Sequence, residues 1–537
     1  MNVEVNASRA EQDCTGTARL RSGLPFESET MSKMEYHLNK RTASAIEKRM
    51  GGYSTPIYNF LIQDTNSSTQ SPRQQPPSEK YHPTFTIENL PAILFTKDQS
   101  PFHPILLPIM APSTPIIYPS KMFPGIQNTF KQHNALPLED REKPLFVIDV
   151  ATVKDSVRDF MASMPSTANI DVVHFGAVKA CAAKPVTDVY DQLRCGFDCA
   201  SKGEVKPLID RGVNPARISL GNCNLPTNEL EWGIEVGVQY FAVDSTSQVH
   251  RMLEAASRVA KRKGCDLAAI LAEIKPFCRL VCSGKGSDKP FSAKFGVDPE
   301  MAFTIIEEAQ AHGLTFIGLS GHPGTQNLST DAFVQFAQLF RGVFDRVKAE
   351  LGITMTLANI GGGWAGISTK TAPSFVTYNK PTIETFSSVF ADWPVKLIMM
   401  TEPGRAFISK AGWLQTHVIN VSKHTAGASV SRVFLSVGNL HGLNEANKIS
   451  FEWHTSAPSE KTKPCVLYGA SCDSSDIILG KDADGKEKTV DLPDVLAPDH
   501  LVWVYGPAAY GPDYSTSFNG VPPPKVVYIN SKEGITY

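Results

Sequence analysis

Three stretches of the chain carry residue types able to do chemistry together. They are His174-Phe175-Gly176-Ala177-Val178-Lys179-Ala180, Ile360-Gly361-Gly362-Gly363-Trp364-Ala365-Gly366 and Thr401-Glu402-Pro403-Gly404-Arg405. A lysine at a strand end can join a carbonyl group when its neighbours tune its affinity for protons. A carboxylate can pair with a protonated ring nitrogen, while bare glycine amides and a guanidinium can hold a phosphate. Together the amine, carboxylate and guanidinium make up the set needed to hold a pyridoxal phosphate by its aldehyde, ring nitrogen and phosphate. The glycine run also fits G-x-G-x-x-G, the mark of a dinucleotide site, but it follows the seventh strand of a cycle and opens no evident capped helix. A phosphate cradle suits that place better. His322, in Ser320-Gly321-His322-Pro323-Gly324, ends the sixth strand and can stack on a cofactor ring. Cys195/Cys199 and Cys278/Cys282 share CxxxC spacing, yet no partner pair completes a zinc site, so no metal is expected.

To bring these residues together the chain needs a closed cycle of strands. Apolar segments at Val172–Val178, Gly196–Ala200, Arg217–Gly221, Gln239–Val243, Ala268–Ile274, Thr315–Ser320, Met355–Ile360 and Lys396–Met400 predict eight strands. Helical stretches such as Ser247–Lys263, Pro299–His312 and Thr330–Leu351 separate many of them, as right-handed crossovers require. The fold class predicted is α/β, a (β/α)8 barrel over residues 141–405. Strand-like runs at Leu414–Val421, Arg432–Val437, Pro464–Tyr468, Leu501–Tyr505 and Lys525–Ile529 predict a C-terminal β domain over 406–537. A strand at Leu145–Val150 is expected to join it. Residues 1–140, rich in Ser, Thr, Gln and Pro, read as an irregular and partly disordered extension with one helix at Thr30–Met50. The charged stretch Lys481–Lys488 reads as a solvated hairpin loop.

The chain has 537 residues, with 52 basic and 54 acidic side chains and a formal charge of -2. This balance offers no electrostatic footprint for nucleic acid or an acidic membrane, so a small zwitterionic ligand is expected. Ten scattered cysteines and a polar beginning without a secretory pattern imply a reducing, cytoplasmic setting. Prolines at 108, 112 and 115 interrupt the apolar run 105–118, and no membrane span is expected.

From about Pro144 onward the chain resembles the eukaryotic ornithine decarboxylase family of fold-type III pyridoxal phosphate enzymes. The matching segments are Ala177-Val178-Lys179, Gly196-Phe197-Asp198-Cys199-Ala200-Ser201-Lys202, Lys294-Phe295-Gly296, Ile360-Gly361-Gly362-Gly363, Glu402-Pro403-Gly404-Arg405, Cys472-Asp473 and Phe518-Asn519-Gly520. The resemblance implies decarboxylation of a small amino acid to an amine, in polyamine or other amine biosynthesis. It makes Lys179 the Schiff-base lysine and Asp198 a cofactor ligand, stacks His322 on the pyridine ring and puts Glu402 on its nitrogen. Gly361, Gly362, Gly363, Gly404, Arg405 and Tyr510 would hold the phosphate end. Cys472 would return a proton to the substrate Cα and Asp473 would bind substrate, both reaching across a homodimer interface into the partner's site. Glu452 aligns with the aspartate that holds a distal amine. Its extra methylene predicts a shorter pocket that disfavours ornithine and suits a shorter diamino acid, the alternative being that the replaced loop swings Glu452 away and opens an apolar site for a neutral or aromatic substrate. Three departures stand out. Ala272-Glu273-Ile274 occupies the place of a fifth-strand arginine, Pro323-Gly324-Thr325 replaces a valine-glycine-serine run, and Val437-Gly438-Asn439-Leu440-His441-Gly442 replaces Asp-Gly-Val-Tyr-Gly. An inactive antizyme-inhibitor-like regulator and a barrel amino acid racemase are the alternatives. Joint retention of Lys179, Glu402, Arg405 and Cys472 argues against the first.

Overall fold

The eight strands that form the barrel are short, of three to eight residues, and mostly buried. A computed structural model describes residues 116–282, 287, 294–366 and 373–537. The helix expected at Thr30–Met50 lies outside the described residues. Eight parallel strands, β2 (Ile170–Ala177), β3 (Gly196–Cys199), β4 (Ile218–Leu220), β5 (Tyr240–Val243), β6 (Lys275–Arg279), β7 (Gly318–Ser320), β8 (Leu357–Asn359) and β9 (Leu397–Thr401), close on themselves in chain order. The closing pair places His174 beside Thr401, so the chemistry-bearing ends of the first and last strands are neighbours. Phe175, Cys223, Ala242, Phe277, Leu357 and Met400 form one cluster. Most of the remaining apolar strand side chains join the larger core that packs the surrounding helices.

The fifth barrel strand departs from the sequence expectation. Residues Leu267–Glu273 form a helix, with the Asp266 carboxylate accepting from the Ala268 N–H, and the strand is Lys275–Arg279. Ala-rich Leu267–Glu273 favours a helix once it is capped, whereas the strand itself carries Pro276 and so reads poorly as one. The shift restores a fifth-strand arginine. Arg279 ends that strand, and Glu273 does not replace it.

The second layer is a nine-stranded sheet whose main path runs through β10 (Gly412–Ser422), β11 (Ser431–Leu435), β13 (Thr462–Tyr468), β14 (Val490–Pro493), β16 (Lys525–Asn530) and β17 (Ile535–Thr536). Strand β15 (Leu501–Tyr505) pairs with β10 and with β12 (Glu452–Thr455). Strand β1 (Leu145–Asp149) precedes the barrel in sequence but lies in this sheet, antiparallel to β10 and parallel to β16. Asp149 anchors the connection. Its carboxylate caps helix Val150–Ser163 through the Ala151 and Thr152 amides and accepts from Ser531 N–H at 2.9 Å and Ser531 Oγ at 2.8 Å.

Alternation along the strands gives this sheet two faces. On one, Phe146, Leu414, Val502 and Val504 build a core with Leu435, Leu443 and Leu467. On the other, Leu145, Val147, Trp413 and Trp503 pack against Met122, Ile126 and Phe130. The last three belong to or adjoin helix Pro124–Asn134, so residues expected to be an irregular extension cover one face of the sheet. Lys481 and Glu487 form an antiparallel bridge around a tight turn, as a hairpin loop requires.

Candidate active site

Lys179 sits in a single 3-10 turn, Val178–Ala180, that follows β2. Its Nζ donates to Asp198 Oδ2 at 2.6 Å. Asp198 is 1 % exposed and lies in β3, where only glycine at 221 leaves it room: a Cβ at Gly221 would fall 2.3 Å from Asp198 Oδ1. Burial lowers the proton affinity of Lys179, but the facing charges of Asp198, Tyr510 and Glu402 more than offset this, and the amine is held protonated. The turn is fixed from two sides. Ala177 N–H donates to Pro403 O at 3.1 Å, and Tyr510 N–H donates to Ala180 O at 2.8 Å.

Glu402 follows β9. Burial pushes its carboxyl up to about 7, with Asp198 adding to the shift and Lys179 opposing it. Asn359, at the end of β8 and fully buried, donates through Nδ2 to Glu402 Oε1 at 2.6 Å and accepts from Gly361 N–H at 2.9 Å. One amide side chain thus ties the carboxylate to the glycine run. His322 is half-buried beside Gly362, its Nδ1 accepting from Gly324 N–H at 3.0 Å, which leaves the ring proton on Nε2. Burial and the charges of Arg279 and Lys179 hold this imidazole well below its usual range, hence neutral.

Gly361, Gly362 and Gly363 leave no space for side chains. A Cβ at Gly361 would meet Gly321 O at 2.2 Å, one at Gly362 would meet Glu402 O at 2.5 Å, and one at Gly363 would meet Gly324 O at 2.4 Å. Gly361 and Gly363 also adopt positive φ, of 67° and 113°, which suits glycine. Beside them Arg405, 7 % exposed, donates through Nε to Thr325 Oγ1 at 3.0 Å and lies 4.5 Å from the centroid of the Tyr510 ring. Its Nη2 pairs with Glu445. A Cβ at Gly404 would come within 3.1 Å of Tyr510 Oη, so this turn too is shaped for close approach.

The structure therefore gathers Lys179, Asp198, His322, Gly361 to Gly363, Glu402, Gly404, Arg405 and Tyr510 at one end of the barrel. An amine facing a buried carboxyl, beside a glycine cradle with a guanidinium at its edge, fits the aldehyde, ring nitrogen and phosphate of a pyridoxal phosphate. The sequence reading missed Arg279, Asn359, Thr325 and Glu445. Arg279 was obscured by the misplaced fifth strand. Asn359 was legible as the last strand residue before the glycines, and Thr325 as part of the turn after His322.

Cys472 and Asp473 lie apart, on an exposed β-domain turn. Cys472 N–H donates to Asn519 Oδ1 at 2.8 Å, and Asp473 Oδ1 accepts from Ser475 N–H at 2.8 Å. Asp476, 3 % exposed, braces the turn, accepting from Ser471 Oγ at 2.6 Å and Asn439 N–H at 2.7 Å.

Glu452 does not join the site, contrary to expectation. It lies in β12 opposite Tyr505, and its carboxylate pairs with Lys121, whose Nζ stands 4.5 Å above the Tyr505 ring. The adjacent Trp453 packs against the other core. With β12 unrecognised in the sequence, the two-residue alternation that turns Glu452 toward the Lys121 side was not visible. The side-chain length argument for a short diamino acid falls with it.

Comparison with known proteins agrees with this geometry. The pyridoxal-binding domain model of the pyridoxal-dependent decarboxylases matches residues 150–409. A Dictyostelium discoideum protein named probable ornithine decarboxylase is 26% identical over 403 residues, covering 72% of this chain and 79% of that one. A Nicotiana glutinosa protein named ornithine decarboxylase, chloroplastic, is 25% identical over 397 residues, covering 71% and 83%. Among solved structures, a Vibrio vulnificus lysine/ornithine decarboxylase complexed with putrescine superposes with a TM-score of 0.61 at 22% identity, over 76% of this chain and 97% of that one.

Proposed function

We propose that the chain, whose residues 150–409 match the pyridoxal-binding domain of the pyridoxal-dependent decarboxylases, is a divergent fold-type III member of that family and decarboxylates a small amino acid with a cationic side chain, as a cytoplasmic homodimer with shared sites. The observation that carries the reading is the Lys179–Asp198 contact beside a half-buried Glu402 with a raised carboxyl. When bound, the cofactor supplies an aldehyde for the substrate amine and a ring that accepts the electron pair released with CO2.

The residues divide the remaining work. Lys179 would hold the cofactor by its aldehyde, and Asp198 would orient the amine. Glu402, poised near neutrality, would hold the proton of the ring nitrogen, while His322, being neutral, would face the ring without repelling its charge. Arg405, Thr325, Tyr510 and the glycine amides hold the phosphate. Cys472 of one subunit gives its thiol proton to Cα in the other, and Asp473 beside it accepts a hydrogen bond from the substrate's distal cation. Exposed Tyr514 and Phe518, on the segment that anchors Cys472, offer apolar surface for that contact. The nine described cysteines are all free, which suits a reducing compartment. The deciding experiment is CO2 release from a panel of amino acids by the purified holoenzyme. Turnover of basic amino acids above neutral and aromatic ones is expected, and the reverse order would overturn the substrate class.

A further inference from the structure

The phosphate end of the site contains an anion of its own. Glu445, its side chain 14% exposed, pairs with Arg405 Nη2, while Arg405 Nε is taken by Thr325 and its guanidinium covers the Tyr510 ring. Glu445 is not a loose surface side chain that drifted inward. Its carbonyl accepts from Lys448 N–H at 3.0 Å and Ile449 N–H at 2.9 Å, which fixes it in a helical turn. It also follows Val437–Gly442, one of the three segments that depart from the family's pattern.

We propose that Glu445 is an internal competitor for Arg405, which the cofactor phosphate must displace or share, so that this residue sets how tightly the chain holds pyridoxal phosphate. The inference rests on the decarboxylase reading. A phosphate dianion brought beside a partly buried carboxylate meets like-charge repulsion that solvent screens poorly, and the guanidinium it needs is already neutralised. Removing the charge while keeping the shape should free Arg405 for the phosphate. Removing a mere brace should have the opposite effect.

The experiment measures dissociation constants of pyridoxal 5'-phosphate and of pyridoxal, by absorbance and tryptophan quenching, for the wild-type apoprotein and for Glu445→Gln. The expected result is that Glu445→Gln binds the phosphorylated ligand about ten-fold more tightly and slows its loss on dilution, with pyridoxal affinity unchanged. Glu445→Ala should shift the same way if the variant melts like wild type. Unchanged or weaker phosphate-ester binding by a folded Glu445→Gln would overturn the proposal, as would equal tightening for both ligands. A wild-type protein that binds neither ligand would instead refute the decarboxylase reading itself.

Discussion

At the barrel rim Asp198 is buried and Glu402 half-buried, and each is tied to a side chain from a neighbouring strand end, whereas in the β domain Glu452 is partly exposed and meets Lys121, a residue outside the sheet. The rim carboxylates have their direction set by partners on neighbouring strand ends, so they can hold charge at defined atoms of a ligand. A partly solvated pair such as Glu452 with Lys121 contributes little beyond about 1 kcal/mol, and its geometry is cheap to change. Chemistry in this molecule is thus concentrated where the strands converge. The β domain places an exposed thiol, that of Cys472, on one turn and the carboxylate of Glu445, paired with Arg405, on another.

The sharpest way to break this contrast is Lys179→Ala. It should abolish the borohydride-reducible link to the cofactor and lower kcat/KM by more than about 1000-fold, with circular dichroism unchanged. Retention of the link, read by mass spectrometry after reduction, would place the reactive amine elsewhere. Mixing Lys179→Ala subunits with Cys472→Ala subunits comes next. Random exchange should leave about a quarter of wild-type sites, because half of the dimers are mixed and each of these carries one intact site. No recovery despite proven exchange would mean that each chain completes its own site.

A smaller effect is expected from pH. Glu402 has a carboxyl raised in the folded apoprotein to about 7 from 4.5, so the folded state binds more protons than the unfolded one between those values. Its contribution is fully present below pH 4.5 and is lost as pH rises through 7. The apoprotein's melting temperature should fall over that window, by an amount worth up to roughly 3 kcal/mol. Glu402→Gln should flatten the profile, and an equally steep profile in the variant would assign the titration to another group. Least affected should be Glu452→Gln. Catalytic constants should stay within about two-fold and stability within about 1 kcal/mol, whereas a changed substrate order would return Glu452 to the pocket.

The contrast also explains what was legible in the sequence. Strand ends at the rim announce themselves because an apolar run stops abruptly at a lysine, a histidine or a glycine cluster, and a closed cycle forces such ends together. Leu267–Glu273 misled because an Ala-rich apolar run carries no reliable period, and the cap at Asp266 settles it as a helix. That one slip hid Arg279. Glu452 misled for a different reason: in a short strand the neighbouring residues face opposite sides, so an alignment shifted by one residue exchanges a pocket wall for an outer surface. The pairing of Arg405 with Glu445 joins residues 40 apart across two layers and has no local signature.

The placement of β1 in the later sheet has a consequence for how the protein is made. Leu145 pairs with Gln415 and with Lys525, about 270 and 380 residues downstream. At about 5–20 residues per second, a ribosome needs tens of seconds after β1 emerges before either partner exists. Until then its five residues, four of them apolar and all buried in the finished sheet, present two open hydrogen-bonding edges. The nascent barrel therefore carries an unpaired strand ahead of it, one edge of which waits for β10 and the other for β16, after which Ser531 bonds to Asp149.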